Sequence, residues 1–596
     1  METPRTLNEL FFRAIERYSS KRAALRFKSG DTWHDLTHQE LARRVKHTAL
    51  GLRDIGVVPG DRVAILSENR PEWAQADFAC LTALCADVPI YPTLPAAQAA
   101  YVIRDSGAVA IFVADRQQYD KIVETRDQTP DLKHVIAFED LGDPATMTLQ
   151  ELMQRGAAIE SSHPAYREEA LAVDPDALAT LIYTSGTTGD PKGVMLSHGN
   201  FTTNVLGALK VLPIGPDDSA LSLLPLSHSF ERMAGHYTMF HGGCTISYAE
   251  SIEAVSANMG EVRPTIVLAV PRLYEKIYAR VLENALAGGA AKRRIFFWAK
   301  RNAELWADLV LDGRPVPAWL GVKKRLADRL VFSKLQARTG GRIRFFVSGG
   351  APLSAEIAKF FYAAGLPILE GYGLTETSPV IAVNPLDRPK MGTVGRPIPG
   401  VSVVIAEDGE ILARGPNVML GYYKKPEATR ETVDSEGWLH TGDIGELDAD
   451  GYLRITDRKK DLIVTAGGKN IAPQPIENLV KTNKFVENAV MIGDRRKFSS
   501  MLVVPAADAV TAWARERNLP ADDYPALLKH PDVVAKLERE VMLNLRGLAS
   551  YETPKKLALL ERDFTIESGE LTPTLKVKRR VVEQNYADLI EILYAE

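Results

Sequence analysis

Tyr183-Thr-Ser-Gly-Thr-Thr-Gly-Asp-Pro-Lys-Gly193 follows the apolar run Leu178–Ile182 and precedes a helical stretch from about Asn200. Small hydroxyl residues and glycines directly after a strand let backbone N–H groups wrap a polyphosphate; here these are Ser185, Gly186, Thr187, Thr188 and Gly189, with Lys192 as a point charge beside them. The stretch is not the Walker pattern, because Lys192 follows Pro191 and precedes Gly193, leaving no adjacent hydroxyl for magnesium. A lone Gly/Thr/Ser run is usually a surface loop. This longer composite is far more specific.

Working outward, Thr37-His-Gln-Glu40 has the form of a capping box, and Leu41, Val45, Ala49, Leu52 and Ile55 recur at helical spacing until Gly56. Arg62–Leu66 reads as a strand, a helix follows from Pro71, then an apolar run at Val88–Tyr91, a helix at Ala96–Asp105 and a strand at Ala108–Val113. Thr265–Val270, Arg342–Val347 and a helix after Ser354 continue the alternation, which argues for an α/β fold. From about Val401 the pattern turns to short strands with Gly-containing turns. Beyond Asp457, Val486–Ile492 and Met501–Pro505 read as strands between helices. The expected division is therefore 1–456, a charged boundary at 457–461, and a small α+β unit over 462–596.

The length of 596 residues suits about four compact units, or two large ones, at roughly 150 residues per domain. With 45% hydrophobic and 25% charged residues the composition is that of an ordinary globular chain, which excludes disorder, collagen and coiled coil as the main architecture. The net charge of −4 gives no general affinity for nucleic acid or anionic lipid, so any basic surface must be local. Three cysteines, Cys80, Cys85 and Cys244, are too few for a disulfide framework and match no zinc spacing, so a cytoplasmic setting is expected. One stretch breaks the balance: 291–338 holds twelve Lys/Arg against four Asp/Glu, interleaved with Phe296, Phe297, Trp298, Trp306 and Trp319. The plainer reading is a solvated helical insertion with its aromatics packed inward. The second is peripheral contact with the inner face of an anionic membrane.

Further motifs lie in order along the chain: Ser348-Gly-Gly-Ala-Pro352, Gly371-Tyr-Gly-Leu-Thr-Glu376, Trp438-Leu-His-Thr-Gly-Asp443, Asp457-Arg-Lys-Lys-Asp461, Gly467-Gly-Lys-Asn470 and Leu571-Thr-Pro-Thr-Leu-Lys576. Together with 183–193 they resemble the motif series of the adenylate-forming enzymes, which include acyl-CoA synthetases, peptide-synthetase adenylation domains and luciferase. Leu224-Pro-Leu-Ser-His-Ser-Phe-Glu-Arg232 and Thr572–Lys576 look most like the bacterial long-chain fatty acyl-CoA synthetases. The resemblance implies a large adenylation domain of α/β subdomains with an added β subdomain, plus a small mobile α+β lid. It also implies ATP with Mg²⁺, a fatty acid and coenzyme A as substrates, and makes a homodimer unsurprising.

Activating a carboxylate needs in-line attack on the α-phosphate of ATP, so positioning and charge neutralisation must do the catalysis. Thr375 can hydrogen-bond a phosphate and Glu376 can hold Mg²⁺; the resemblance adds Thr184 on the metal side. It places Tyr372, between Gly371 and Gly373, on the adenine, with Gly349, Gly350 and Ala351 as a backbone wall opposite. Asp443 can accept from both ribose hydroxyls, and Arg458 can reach the ribose or phosphate. Lys576 matches the lysine of the first half-reaction and His228 the histidine beside the reacting carboxylate, where a purely structural histidine is the alternative. Lys460 matches the pivot that swings Gly467, Gly468 and Lys469 to the thiol tunnel. Some long-chain members place a tryptophan gate just after the histidine; this chain has Phe230, Glu231 and Arg232. The main expectation is a long-chain fatty acid:CoA ligase. The alternatives are a fatty acyl-AMP ligase serving a carrier protein and a non-catalytic fatty-acid-binding relative.

Overall fold

The computed structural model describes residues 3–184, 190–466, 469–572 and 577–595. Two large sheets organise the first three quarters of the chain. One has eight strands, and from one edge to the other these are Gly421–Tyr422, Lys192–Ser197, Leu178–Thr184, Ala86–Ile90, Arg62–Leu66, Ala110–Val113, His134–Ala137 and Met147–Thr148. It is parallel from Leu178–Thr184 outward to Met147–Thr148, and antiparallel at the opposite edge. The central strands are buried throughout because helices cover both faces. Thr37 caps the helix His38–Asp54, its hydroxyl accepting the Glu40 N–H at 3.1 Å, and Pro71 opens the helix Pro71–Thr82.

The second sheet has nine strands, with the parallel core Leu25–Ser29, Thr245–Tyr248, Ser219–Ser222, Ile266–Ala269, Phe345–Ser348 and Ile368–Gly373 flanked by antiparallel edges. A four-stranded antiparallel sheet follows, Ser402–Ile405, Glu410–Arg414, Leu439–Leu447 and Leu453–Arg458. After Arg458 the chain turns and builds a three-stranded sheet, Val486–Ile492, Ser500–Pro505 and Leu557–Leu559, packed with helices such as Pro473–Lys481 and Pro531–Asn544. The expected strands and helices therefore exist, with ends shifted by one to three residues. The larger departure is at 192–197: the loop returns as a strand, and the helix His198–Val211 starts only afterwards. Ser197 and Asn200 cap that helix reciprocally, at 3.1 and 2.8 Å.

The two large sheets are joined by a buried cation. Arg232 has no exposed surface and lies in the widened helical turn Glu231–Tyr237. Its Nε donates to Tyr237 Oη at 2.9 Å, and Nη1 donates to Asp87 Oδ1 at 2.9 Å and Thr180 Oγ1 at 2.8 Å. Nη2 donates to Asp77 and Asp87, so all the guanidinium N–H groups are used. Thr180 in turn donates to Asp87 Oδ1 at 2.7 Å. Asp77 sits on the helix Pro71–Thr82, Asp87 on Ala86–Ile90 and Thr180 on the strand that leads into the phosphate loop. Removing the cation leaves two carboxylates buried without a counter-charge. Arg232→Ala is therefore expected to cost about 3–5 kcal/mol, read as a fall in the urea midpoint, whereas Tyr237→Phe costs about 1 kcal/mol.

Candidate active site

Strands Leu178–Thr184 and Lys192–Ser197 pair antiparallel, with Thr184 opposite Lys192. These strands flank the glycine-rich motif; Ser185, Gly186, Thr187, Thr188 and Gly189 lie outside the described residues. Lys192 Nζ stands 4.9 Å from the ring centroid of Tyr422, whose short strand pairs with Val194 and Met195. The Tyr422 hydroxyl donates to Glu376 Oε1 at 2.8 Å. Burial, with Glu376 alongside, pushes the Tyr422 phenol up, so it stays a donor at neutral pH. Glu376 Oε2 keeps its acceptor capacity, with no hydrogen bond among the described residues. One tyrosine thereby aligns the lysine of the phosphate loop with the carboxylate of the Gly371–Glu376 motif.

That motif runs off strand Ile368–Gly373 into a single tight turn, Thr375–Thr377, and returns as Val380–Val383. The return is so close that a Cβ on Gly373 would lie 1.8 Å from the Pro379 carbonyl oxygen. Thr375 Oγ1 lies 3.1 Å from Ser229 Oγ, which brings the turn against the segment of His228. His228 is half-buried, and its Nδ1 accepts the Phe230 N–H at 3.1 Å, which puts the proton of the neutral ring on Nε2. The Phe230 ring packs on Gly349, where a Cβ would meet it at 2.9 Å. The Ser348–Pro352 loop is fastened from below by Glu370, which accepts the Leu353 N–H at 3.4 Å.

At the other end, Tyr372 Oη donates to Asp443 Oδ2 at 2.7 Å and Arg458 Nε lies 3.2 Å from Asp443 Oδ1. Asp443 and Arg458 face each other in antiparallel register across the four-stranded sheet. Tyr372 is 9% exposed and packs with Ile381, Ala382, Ile411, Ala413 and Leu453. It therefore orients the Asp443 carboxylate. Burial, and then Asp443, raise its phenol well above the ordinary range.

Beyond Arg458, Lys459 is tied back to Asp408 at 2.6 Å and Glu410 at 2.9 Å. Lys460 is exposed on the following turn, and its side chain makes no hydrogen bond or ion pair among the described residues. Lys469 is exposed, with Nζ 5.8 Å from the Tyr551 ring; Gly467, Gly468 and Lys576 lie outside the described residues. The stem below Lys576 is described: Leu571 bridges Val577, the Lys578 N–H reaches Glu570 O at 2.7 Å, and Arg562 grips the Glu570 carboxylate through both Nη atoms at 2.7 Å. No group of three or more His, Cys, Asp or Glu side chains among the described residues could hold a metal by itself. A divalent cation here would depend on ligands brought by a nucleotide.

The family model for the AMP-binding enzyme matches residues 11–423, and that for the AMP-binding enzyme C-terminal domain matches 460–524. The chain belongs to the AMP-binding enzyme family. It is 39% identical over 566 residues to the long-chain-fatty-acid–CoA ligase FadD15 of Mycobacterium tuberculosis, covering 94% of this chain and 92% of that protein. It is 33% identical to the human long-chain-fatty-acid–CoA ligase ACSBG1, covering 100% of this chain and 86% of that protein. The fold is also that of a carboxylate reductase adenylation domain from Mycobacterium chelonae, with a TM-score of 0.74 at 23% identity, covering 100% of this chain and 92% of that one.

Several residues of this AMP-binding enzyme escape sequence reading. Tyr422 lies in Gly421-Tyr-Tyr423, which has no local mark of function, and only the sheet edge brings it to Glu376. Asp77 and Asp87 sit in apolar segments, where an isolated acid is itself a signal of a buried partner. Glu231 is another such acid. Its Oε1 accepts from Ser222 Oγ at 2.6 Å, its Oε2 has no hydrogen-bond partner among the described residues, and burial pushes its carboxyl up to about 8. The folded state thus favours the protonated form. That stability is fully present below the ordinary value of 4.5 and is lost as pH rises through about 8. Glu231→Gln is expected to gain Tm relative to wild type across that window, with the gap closing at acid pH; a gap independent of pH counts against the assignment.

Proposed function

We propose that this protein is a long-chain fatty acid:CoA ligase, forming acyl-AMP and pyrophosphate from ATP and the acid, then acyl-CoA and AMP from the adenylate and coenzyme A. The observation that carries the reading is identity of 33–39% along nearly the whole chain to proteins named for that activity. The geometry supports it at both ends of a nucleotide. Asp443, held by Tyr372 and Arg458, is a carboxylate whose chemistry suits ribose hydroxyls. Lys192, Tyr422 and Glu376 form a line suited to a polyphosphate.

The donor set suits the Mg²⁺ that accompanies ATP: Glu376 through its second oxygen and Thr184 opposite Lys192, with phosphate oxygens completing the shell. Bound there, the ion neutralises charge developing on the phosphates. In this reading the loop 185–189 cradles the β- and γ-phosphates and Thr375 holds the α-phosphate. Lys576 bridges the α-phosphate to the incoming carboxylate, lowering the repulsion between two anions. His228 presents Nε2–H to the acid. For the thiol step Lys576 withdraws as the unit after Lys460 turns, and 467–469 take its place.

Purified protein with Mg·ATP and acids from acetate to oleate is expected to make thioester only with coenzyme A, and best with long acids. Adenylate without thioester would favour the carrier-protein ligase, and no turnover the binding protein. Lys576→Ala and Glu376→Gln are expected to lower adenylate formation by about 10²–10³-fold. Tyr422→Phe, which loses one charge-assisted bond, is expected to lower it by about tenfold.

A further inference from the structure

The basic stretch forms two packed helices, Ala290–Leu311 and Ala318–Ala327, the second continuing as the wide turn Asp328–Phe332. Their inner side is complete. Ala299, Ala303 and Ala307 recur every fourth residue with no exposure, and with Phe296, Ala327 and Phe332 they join the core beneath. The inward-packing expectation holds for Phe296, and Trp298 and Trp306 are half-buried. It fails for Phe297, 43% exposed, and Trp319, 56% exposed.

A second apolar stripe runs along the outside. Trp319, Val322, Leu326 and Leu330 share one side at helical spacing, all more than 40% exposed. Phe297 and Leu305 flank Arg301 on the neighbouring helix, and a groove of about 520 Å³ between Phe297, Leu305, Trp319 and Lys323 connects the two stripes. A helix of a globular protein normally offers one apolar face to its own core. A second, outward one calls for a partner.

The charges say which partner. Each acid of the stretch is neutralised internally or by the core: Glu304 by Lys300, Asp308 by Lys359, Asp312 by Arg314 and Asp328 by Lys324. Arg293, Arg294, Arg301, Lys323, Arg325 and Arg329 make no ion pair among the described residues. The outer face is thus apolar and aromatic with an uncompensated basic rim. A second copy would set that basic face against itself, which like charges oppose. No helix among the described residues is long and apolar enough to cross a bilayer. We propose that the outer face of the helical pair 290–332 docks on an anionic lipid bilayer, with Trp319, Val322 and Leu326 entering the headgroup boundary and the bases pairing with lipid phosphates.

The test is co-sedimentation of the full chain, without ATP or coenzyme A, on vesicles of equal parts phosphatidylcholine and phosphatidylglycerol, and on phosphatidylcholine alone. Its outcome is independent of the ligase reading because no turnover is measured. Binding is expected on the anionic vesicles, weakening by about tenfold or more on the neutral ones and with added salt. Loss of comparable size is expected for Trp319→Ser with Leu326→Ser, and for Arg325→Gln with Arg329→Gln, at unchanged thermal unfolding. Three results would overturn the proposal: no binding by wild type, equal binding by both variants, or a wild-type dimer broken by the variants without any lipid binding.

Discussion

Arg232 fixes the relation between the parts of the site because it is where the two large sheets are charge-coupled. A guanidinium without water survives only with every N–H satisfied and its charge matched, and Asp77, Asp87, Thr180 and Tyr237 do both. The matching is strict in space as well. Thr180 lies on the strand that ends in the phosphate loop, and the Arg232 N–H closes on the His228 carbonyl at 3.1 Å. The strand that ends at Thr184 and the His228 segment are therefore held in register by one buried group. The same clamp bears on 230–232, where the resemblance to long-chain synthetases raised a tryptophan gate: here Arg232 is locked on five hydrogen bonds. A gate here would have to be built from other side chains.

The carboxylates of Glu376 and Asp443 follow one plan. Glu376 is held by Tyr422 through one oxygen, and Asp443 by Tyr372 and Arg458. A phenol kept neutral by burial donates one bond and introduces no charge. Each acid is thus fixed in rotation. Glu370 does similar service for the Ser348–Pro352 loop, in a setting so dry that its carboxyl is pushed up to about 8. The site is rigid because its anchors are short and buried, and it can meet charge with little reorganisation.

The alternation of strands and helices was legible from Thr37 to the helix after Ser354 because capping residues and apolar periodicity act locally. The motifs that carry Thr184, Tyr372, Glu376, Asp443 and Arg458 were legible because close backbone approach demands glycine there, as at Gly373 against Pro379. The strand Lys192–Ser197 was not, since six residues of mixed character are decided by pairing on both sides rather than by propensity. Tyr422 and three partners of Arg232, namely Asp77, Asp87 and Thr180, were hidden for a related reason: they act across contacts between residues 46 to 155 positions apart.

In the proposed mechanism the two half-reactions make opposite demands on Lys576, and the described stem, Leu571 and Val577 onward, limits how they can be met. A lysine that must bridge phosphate and carboxylate, then vacate the path of a thiol, could leave by a local loop swing. The Leu571–Val577 bridge, the Lys578–Glu570 bond and the two-point grip of Arg562 on Glu570 oppose that. Burial works to raise the Glu570 carboxyl, but Arg562, Asn585 and Ser568 together hold it down at about 2, so the grip persists at any physiological pH. The lysine then has to travel with the unit that carries it. Upstream, Lys459 is anchored to Asp408, Glu410 and the Gly442 carbonyl. The first residue past those anchors with an exposed, unengaged side chain is Lys460. Its side chain ties it to neither flank, which suits the pivot proposed above; a turn there would have to release the Arg272–Glu487 pair and the Asn478–Pro352 bond, contacts that hold the last unit against the first.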